Sequence, residues 1–195
     1  MASAFTHAFF SLAMGKTFIP EEMPWRFWMF SILCSILPDI DIFGSRLGIG
    51  FGGFWGHRGF FHSLFFGFLL SFLSWYFVCR ESSLFARSFG KSSWRLWVFF
   101  FFLSSSHGLL DAITNGGSGV AFFSPFDTTR YFFPWRPVMV SPIGWRGFFS
   151  AWGGRVILNE MTWIWIPSLV LLGAVETARR RLLKRGLRRA ERVGI

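Results

Sequence analysis

The chain has 195 residues, of which 52% are hydrophobic and only 15% are charged, whereas soluble domains carry about 25% charged residues. Its 29 phenylalanines and 11 tryptophans exclude an ordinary soluble enzyme of this length, because large apolar rings pack against lipid tails and tryptophan favours the headgroup region. The net charge is +10, and the basic cluster after residue 176 directly follows an apolar run, which favours anionic membrane lipids over nucleic acid as its partner.

Five apolar segments follow one another along the chain and are predicted to be helices: residues 3–18, 25–37, 60–79, 94–111 and 156–175. The last three approach the roughly 20 residues that cross a bilayer core, whereas the first two are shorter and could form a partly buried hairpin. Pro38 is expected to end the second helix, because proline disfavours a helical residue before it. Residues 44–59 and 112–155 are glycine- or proline-rich and are predicted loops.

These segments predict an all-α, polytopic membrane bundle of about four to five membrane-embedded helices. Residues 1–175 are expected to form one membrane-embedded domain, and residues 176–195 a basic cytoplasmic tail. The basic residues at 80–95 and in the tail belong in the cytoplasm by the positive-inside rule. The sequence therefore predicts a multi-pass protein of the inner (plasma) membrane with a cytoplasmic C-terminus.

With that orientation, seven ionisable side chains fall at segment ends on the same, outer membrane face. They are His7, Asp39, Asp41, His57, His62, His107 and Asp111. An ionisable group at membrane depth costs about 2.5–3.5 kcal/mol, which favours a functional role for the group. Imidazole and carboxylate together suit zinc, manganese or iron. The pattern predicts a site for one or two divalent ions at one face of the bundle, and zinc is the expected ion.

The spacing of these residues has both a structural and a functional interpretation. His107 and Asp111 are four apart on a predicted helix, so both can reach one metal, although a histidine held by a carboxylate for structure alone is also compatible. Asp39 and Asp41 follow a helix end, where the helix dipole repels carboxylates and something positive should offset them. Asp127, next to Pro125, is expected to cap a turn.

Six consecutive positions contain two histidines and an arginine. His57 and Arg58 lie between Gly56 and Gly59, and His62 lies at the start of the third apolar segment. Five residues rotate a helix by roughly 140°, so both histidines can share a site only if His57 precedes the helix and folds back. The guanidinium of Arg58 suits an anionic substrate.

Together these motifs resemble the YdjM-like inner-membrane metal-dependent hydrolases. The resemblance rests on Thr6-His7, Pro-Asp-x-Asp at 38–41, His-Arg-Gly-x-x-His-Ser at 57–63, His-x-x-x-Asp at 107–111 and Ser-Pro-Phe at 124–126. That family is similar, more distantly, to the zinc-dependent phospholipases C and related zinc nucleases, which are helical enzymes that cleave phosphoesters. The resemblance implies that the seven His and Asp residues are metal ligands.

The expected function is a membrane-bound metal-dependent hydrolase of a phosphoester or lipid headgroup. Asp39, Asp41 and Arg58 are the predicted catalytic residues, and Arg58 and Arg130 the predicted substrate-binding ones. A metal-free lipid phosphatase is disfavoured because its Pro-Ser-Gly-His and Ser-Arg motifs do not precede His107. The alternative from another class is a metal-ion transporter or a metal-stabilised membrane protein without catalysis, although transporter ligands should lie near mid-membrane.

Overall fold

The computed structural model describes residues 1–19, 22–80 and 93–193, with side chains as far as residue 186. The helices are α1 (Ala4–Phe18), α2 (Trp25–Ile36), α3 (Leu64–Arg80), α4 (Trp94–Ala112), α5 (Trp145–Phe148), α6 (Ala151–Glu160) and α7 (Ile166–Val193). Two 3₁₀ segments (Leu37–Leu47 and Phe60–His62) and a π-helical turn (Met161–Trp165) complete the elements. Across the described ranges no β-strand forms, and the all-α prediction is confirmed.

The second α-helix ends at Ile36, just before Pro38 as expected, but the residue before the proline keeps a helical backbone (Leu37 φ −58°, ψ −31°). The chain leaves α2 at Ile36 and continues through Pro38 as a 3₁₀ helix to Leu47, where Gly48 adopts a left-handed conformation (φ 79°). Proline at the first positions of a helical segment is tolerated, because its missing N–H would have no partner there. The tighter 3₁₀ turn places Asp39 and Asp41 on a rigid segment.

The core is apolar and aromatic, and α1, α2, α3 and α4 pack around it. Phe27, Phe99, Phe100 and Leu103 are buried in one cluster with Cys34. The rings of Phe27 and Phe99 stack with centroids 5.4 Å apart. Burial of each such side chain contributes roughly 1.5–3 kcal/mol, so this cluster fixes the helices that carry the site.

The helical bundle has two ends, and the ionisable cluster lies at one of them. Ser3 and Thr6 at the start of α1 contact Glu160, whereas the carbonyl of Thr17 near its end accepts from Arg179 at 2.5 Å. Thus α1 and α7 run in the same direction. The α3 helix starts beside His62 and ends at Arg80, 17 residues or about 25 Å away. Arg80 and Arg179 therefore lie at the end opposite the site.

Among the described residues, two helical stretches are long and apolar enough to cross a membrane: Trp25–Leu47 and Ala151–Gly186. Leu64–Arg80 is apolar but shorter. The second segment is thus longer than the sequence suggested, because it continues beyond Pro38, and the third is shorter, because residues 60–62 form a separate 3₁₀ turn. Which of the four or five helices span fully stays a prediction. Arg87 and Lys91, used to orient the chain, lie outside the described residues.

The predicted loop 112–155 folds over the site end of the bundle. Isolated β-bridges join Val120 to Tyr131 and Thr114 to Val138. The backbone N–H of Ala121 donates to the carbonyl of Arg58 at 2.9 Å, and that of Ser141 to the carbonyl of Met1 at 2.9 Å. The loop therefore encloses the ionisable cluster.

Candidate metal centre

Six of the seven predicted ligands meet in one buried cluster. It contains two overlapping groups whose potential ligand atoms lie within 4.8 Å of one another: Asp39, His62, His107 and Asp111, and Asp39, Asp41, His57 and His62. These residues come from the 3₁₀ segment after α2, the turn before α3 and the end of α4. The two groups share Asp39 and His62, so the arrangement accommodates one ion or two neighbouring ions.

In the first group, four of the six separations between ligand atoms are close to those of a tetrahedral ligand set. His62 Nε2 and His107 Nε2 are 3.0 Å apart, and Asp39 Oδ1 lies 3.5 and 3.4 Å from them. Asp111 Oδ2 lies 3.5 Å from His62 Nε2. Zinc bonds of about 2.0–2.1 Å in a tetrahedron separate neighbouring ligand atoms by about 3.3 Å. Four separations in this group therefore match those around one zinc-sized ion.

Hydrogen bonds orient the imidazole rings toward this point. His107 Nδ1 lies 2.7 Å from the carbonyl oxygen of Ser35, which can only accept, so Nδ1 carries the proton and Nε2 is a free ligand. His57 Nδ1 lies 2.8 Å from Asp41 Oδ1. His62 Nδ1 lies 3.0 Å from Asp41 Oδ2, although the two are too poorly aligned for a hydrogen bond. Asp41 thus lies between two histidines, is hydrogen-bonded to His57 and contacts His62.

Asp39 supplies the test of whether a cation fits. Its carboxylate is buried, and neither oxygen has a hydrogen-bond partner among the described residues. A buried carboxylate without a partner is strongly unfavourable, and either a bound cation or a protonated imidazole of His62 or His107, 3.5 and 3.4 Å away, would stabilise it. The carboxylate and imidazole donors match zinc, manganese or iron, and the residues present fit such an ion.

His7 lies at the edge of the cluster and belongs to neither group. Its ring stacks on that of His107 with centroids 3.9 Å apart, and Nε2 is 3.5 Å from Asp111 Oδ1. Both ring nitrogens are buried and lack a hydrogen-bond partner in the part of the chain that the structure describes. Its role as a ligand stays a prediction.

Arg58 is fully buried against the cluster. Nε donates to Asp111 Oδ2 at 3.2 Å, Nη1 to the carbonyl of Gly116 at 2.9 Å, and Nη2 to Thr114 Oγ1 at 2.8 Å. Its backbone N–H donates to Asp41 Oδ2 at 3.2 Å. Arg58 therefore links carboxylates of both groups, while its role toward substrate stays a prediction.

Arg130 joins the two site loops. Nη1 donates to the carbonyl of His57 at 3.0 Å, and Nη2 to those of Phe51 and Gly53 at 3.2 Å each. Burial lowers the pKa of Arg130, and the negative charge of Asp41 opposes that change. These bonds hold the glycine-rich loop against the 118–130 region, and binding of substrate by Arg130 stays a prediction.

Asp127 caps a turn on the exposed surface. Its Oδ1 accepts from the backbone N–H of Thr129 at 2.8 Å. Hydrogen bonding by the Thr129 side chain, and then by its backbone, holds the pKa of Asp127 below its usual range. The expected turn-capping role is thus what the structure shows.

Sequence reasoning missed Glu160 and Ser35. Glu160 is fully buried and accepts from the Ser3 N–H and hydroxyl, both at 2.5 Å, and from Thr6 Oγ1 at 2.7 Å. The Ser35 hydroxyl donates to the carbonyl of His7 at 2.8 Å. A lone glutamate within an apolar segment was the available signal for Glu160, whereas Ser35 carries no sequence signal.

Comparisons with known proteins agree on a membrane family. A family model described as the YdjM inner membrane protein matches residues 1–182. The inner membrane protein YbcI of Escherichia coli (strain K12) is 34% identical over 180 residues, which cover 92% of this chain and 100% of that protein. No solved structure matches significantly.

Proposed function

The chain belongs to the YdjM inner membrane protein family, and from that premise we propose that it is a membrane-bound, metal-dependent hydrolase acting on a phosphoester. The observation that carries the proposal is the set of four ligand atoms from His62, His107, Asp39 and Asp111, four of whose separations are 3.0–3.5 Å. The distant resemblance to zinc-dependent phospholipases C stays a prediction, and it is the reason for proposing a phosphoester as the substrate.

His62, His107, Asp39 and Asp111 would hold the ion, with His57, Asp41 and His7 beside them. A divalent ion supplies an activated water and polarisation of a phosphoryl oxygen when bound. Asp39 Oδ2 has no hydrogen-bond partner among the described residues, so it can accept a proton from an attacking water. The two oxygens of Asp41 face His57 and His62, and we assign Asp41 to orienting those rings.

A metal-stabilised protein without catalysis is the second candidate, and the nearly complete burial of the ligands favours it. His57, the most accessible of the histidines and aspartates in the cluster, is only 8% exposed. A cavity of about 260 Å³ nevertheless reaches His57 and Arg58, and this access favours the hydrolase.

Elemental analysis combined with a hydrolysis screen tests the proposal. We expect the purified wild type to hold a transition metal and to hydrolyse bis(p-nitrophenyl) phosphate or a phospholipid. His62→Ala and Asp111→Ala should lose the metal and the activity. Asp127→Ala is the matched control, because it removes an exposed carboxylate at the same end of the molecule.

Three outcomes separate the alternatives. Metal retained at wild-type levels in both His62→Ala and Asp111→Ala would refute the ligand assignment. Metal that depends on His62 and Asp111 but accompanies no hydrolysis of any phosphoester would favour the non-catalytic protein. Loss of metal in Asp127→Ala to the same extent would show that the effect is not specific to the cluster.

A further inference from the structure

The cavity beside the metal cluster has one ionic wall and one apolar wall. His57 and Arg58 form the ionic side, and both are buried. Met1, Phe51, Val140 and Ile143 form the apolar side. Gly117, Ser118 and Ser141 complete the lining. A ligand with a polar part near the cluster and an apolar part along the four apolar side chains matches this volume.

Arg58, which lines the cavity, has hydrogen-bond donors that no described residue uses. A guanidinium has five N–H donors, and three of those on Arg58 are used by Asp111, Gly116 and Thr114. The remaining two belong to Nη1 and Nη2. Such donors suit an anionic oxygen such as that of a phosphate.

The mouth of the cavity is apolar. Phe51 and Ile143 line the cavity and are also 45% and 51% exposed, so they stand where it opens. Trp145 and Phe149 follow Ile143 on the same loop and short helix and are strongly exposed. Exposed aromatic side chains in a membrane protein favour the lipid interface over water, so this mouth suits a ligand with an apolar part.

We infer that this cavity binds the apolar chain of an amphiphilic phosphoester, whose phosphate lies against His57 and Arg58. The inference rests on the proposed function and narrows its substrate to a lipid-like class. Val140 and Ile143 become the residues that select for the chain. A water-soluble phosphoester would leave the apolar wall without a partner.

Protection of a cysteine placed in the cavity tests this inference without turnover. Val140→Cys is made in a Cys34→Ala/Cys79→Ala background, and its reaction with a methanethiosulfonate reagent is measured on the full chain in detergent. Ethyl, butyl and hexyl phosphate are the probes. Each methylene buried in the cavity should tighten protection about fourfold until the cavity is full, so butyl phosphate should protect at least tenfold better than ethyl phosphate.

Two controls make the result specific. Val170→Cys, exposed on α7, should show no protection by the same phosphates. Filling the cavity with Val140→Phe, with the cysteine moved to position 143, should abolish the dependence on chain length.

Protection that does not change with chain length would overturn the inference. Hexanol protecting as well as hexyl phosphate would overturn it too, because the phosphate would then contribute nothing. Equal protection at position 170 would show mere partitioning into the detergent layer and would also overturn it. Chain-dependent protection in a protein that hydrolyses no phosphoester would support the binding site while the proposed catalysis fails.

Discussion

At the residue scale, Arg58 connects most of the site. It has a left-handed backbone with φ 63°, an uncommon conformation for a residue with a side chain. That conformation directs the backbone N–H to Asp41 and the guanidinium to Asp111. Strain of about 1–3 kcal/mol at such a residue persists only when surrounding contacts compensate for it, and the buried ion pair with Asp111 is that compensation.

Arg58→Lys should retain the metal and lose most of the activity. A lysine keeps a positive charge near Asp111 but cannot reproduce the planar fork that also reaches Gly116 and Thr114. Metal content and phosphoester hydrolysis should be measured in parallel. Full activity in Arg58→Ala would remove the anion-binding role, and loss of metal in Arg58→Lys would show that Arg58 acts by supporting Asp111.

Gly117→Ala should displace the guanidinium of Arg58. Gly117 has φ 92°, and a Cβ there would lie 2.6 Å from Arg58 Nη1. Gly144→Ala is the matched control, because Gly144 has φ 91° and nothing within 4 Å of a Cβ. Both variants carry roughly 1–2 kcal/mol of backbone strain, but only Gly117→Ala should also lose at least tenfold in hydrolysis rate. Equal losses would mean that strain alone is responsible.

At the element scale, the long C-terminal helix is interrupted where it touches the N-terminal segment. The π-helical turn Met161–Trp165 begins directly after Glu160. Trp165 Nε1, from this turn, donates to Thr6 Oγ1 at 2.7 Å, and Thr6 in turn donates to Glu160. Such turns often occur at functional sites. Here the turn lies between Glu160 and Ile166, and both Glu160 and Trp165 bond to Thr6, the residue before His7.

Glu160→Gln should destabilise the protein by roughly 1–3 kcal/mol, because an amide cannot accept all the bonds from Ser3 and Thr6 and leaves a buried polar group unpaired. Hydrogen exchange of residues 1–10 should rise in the same variant. Glu176→Gln is the control on the same helix, because Glu176 pairs with Arg180 at 2.9 Å on the exposed surface, where a pair contributes about 0–1 kcal/mol. Thermal unfolding should separate the two variants, and an equal decrease in Tm would contradict a special role for Glu160.

At the scale of the whole molecule, the ionisable cluster lies at one end, and Arg80 and Arg179 lie at the other. Arg179 donates to the last carbonyls of α1, those of Lys16 and Thr17, where a cation also complements the negative end of the helix dipole. The separation of the two ends, about 25 Å along α3, is close to the roughly 30 Å of a bilayer core. This polarity is compatible with a cytoplasmic basic end and an outward-facing site.

Cysteine labelling in intact cells tests that orientation. In a background without Cys34 and Cys79, a cysteine at Thr128, which is exposed at the site end, should react with an impermeant maleimide from outside. A cysteine at Arg185, exposed near the basic end, should react only after the cells are opened. The opposite pattern would reverse the orientation and place the site in the cytoplasm.

Local sequence alone was enough to predict the helical class, the membrane family and the identity of the cluster. Apolar composition and segment length predict helices in lipid, because a helix pairs all the backbone N–H and C=O groups of one segment, whereas an unclosed sheet leaves some unpaired. His107 and Asp111 were predictable as a pair because helix geometry fixes their relative position. His57, His62, Asp39 and Asp41 were predictable as a set because charged residues in an apolar chain are few and occur at segment ends.

Only the tertiary structure decided which contacts each of these residues makes. The course of the chain through Pro38, the placement of Asp41 between two histidines and the burial of Arg58 depend on contacts between residues far apart in sequence. Glu160 contacts Ser3 across 157 positions, a separation that no local pattern encodes. Spacing along one helix is set by backbone geometry. Contacts between segments are set by side-chain packing, which depends on the fold of the whole chain.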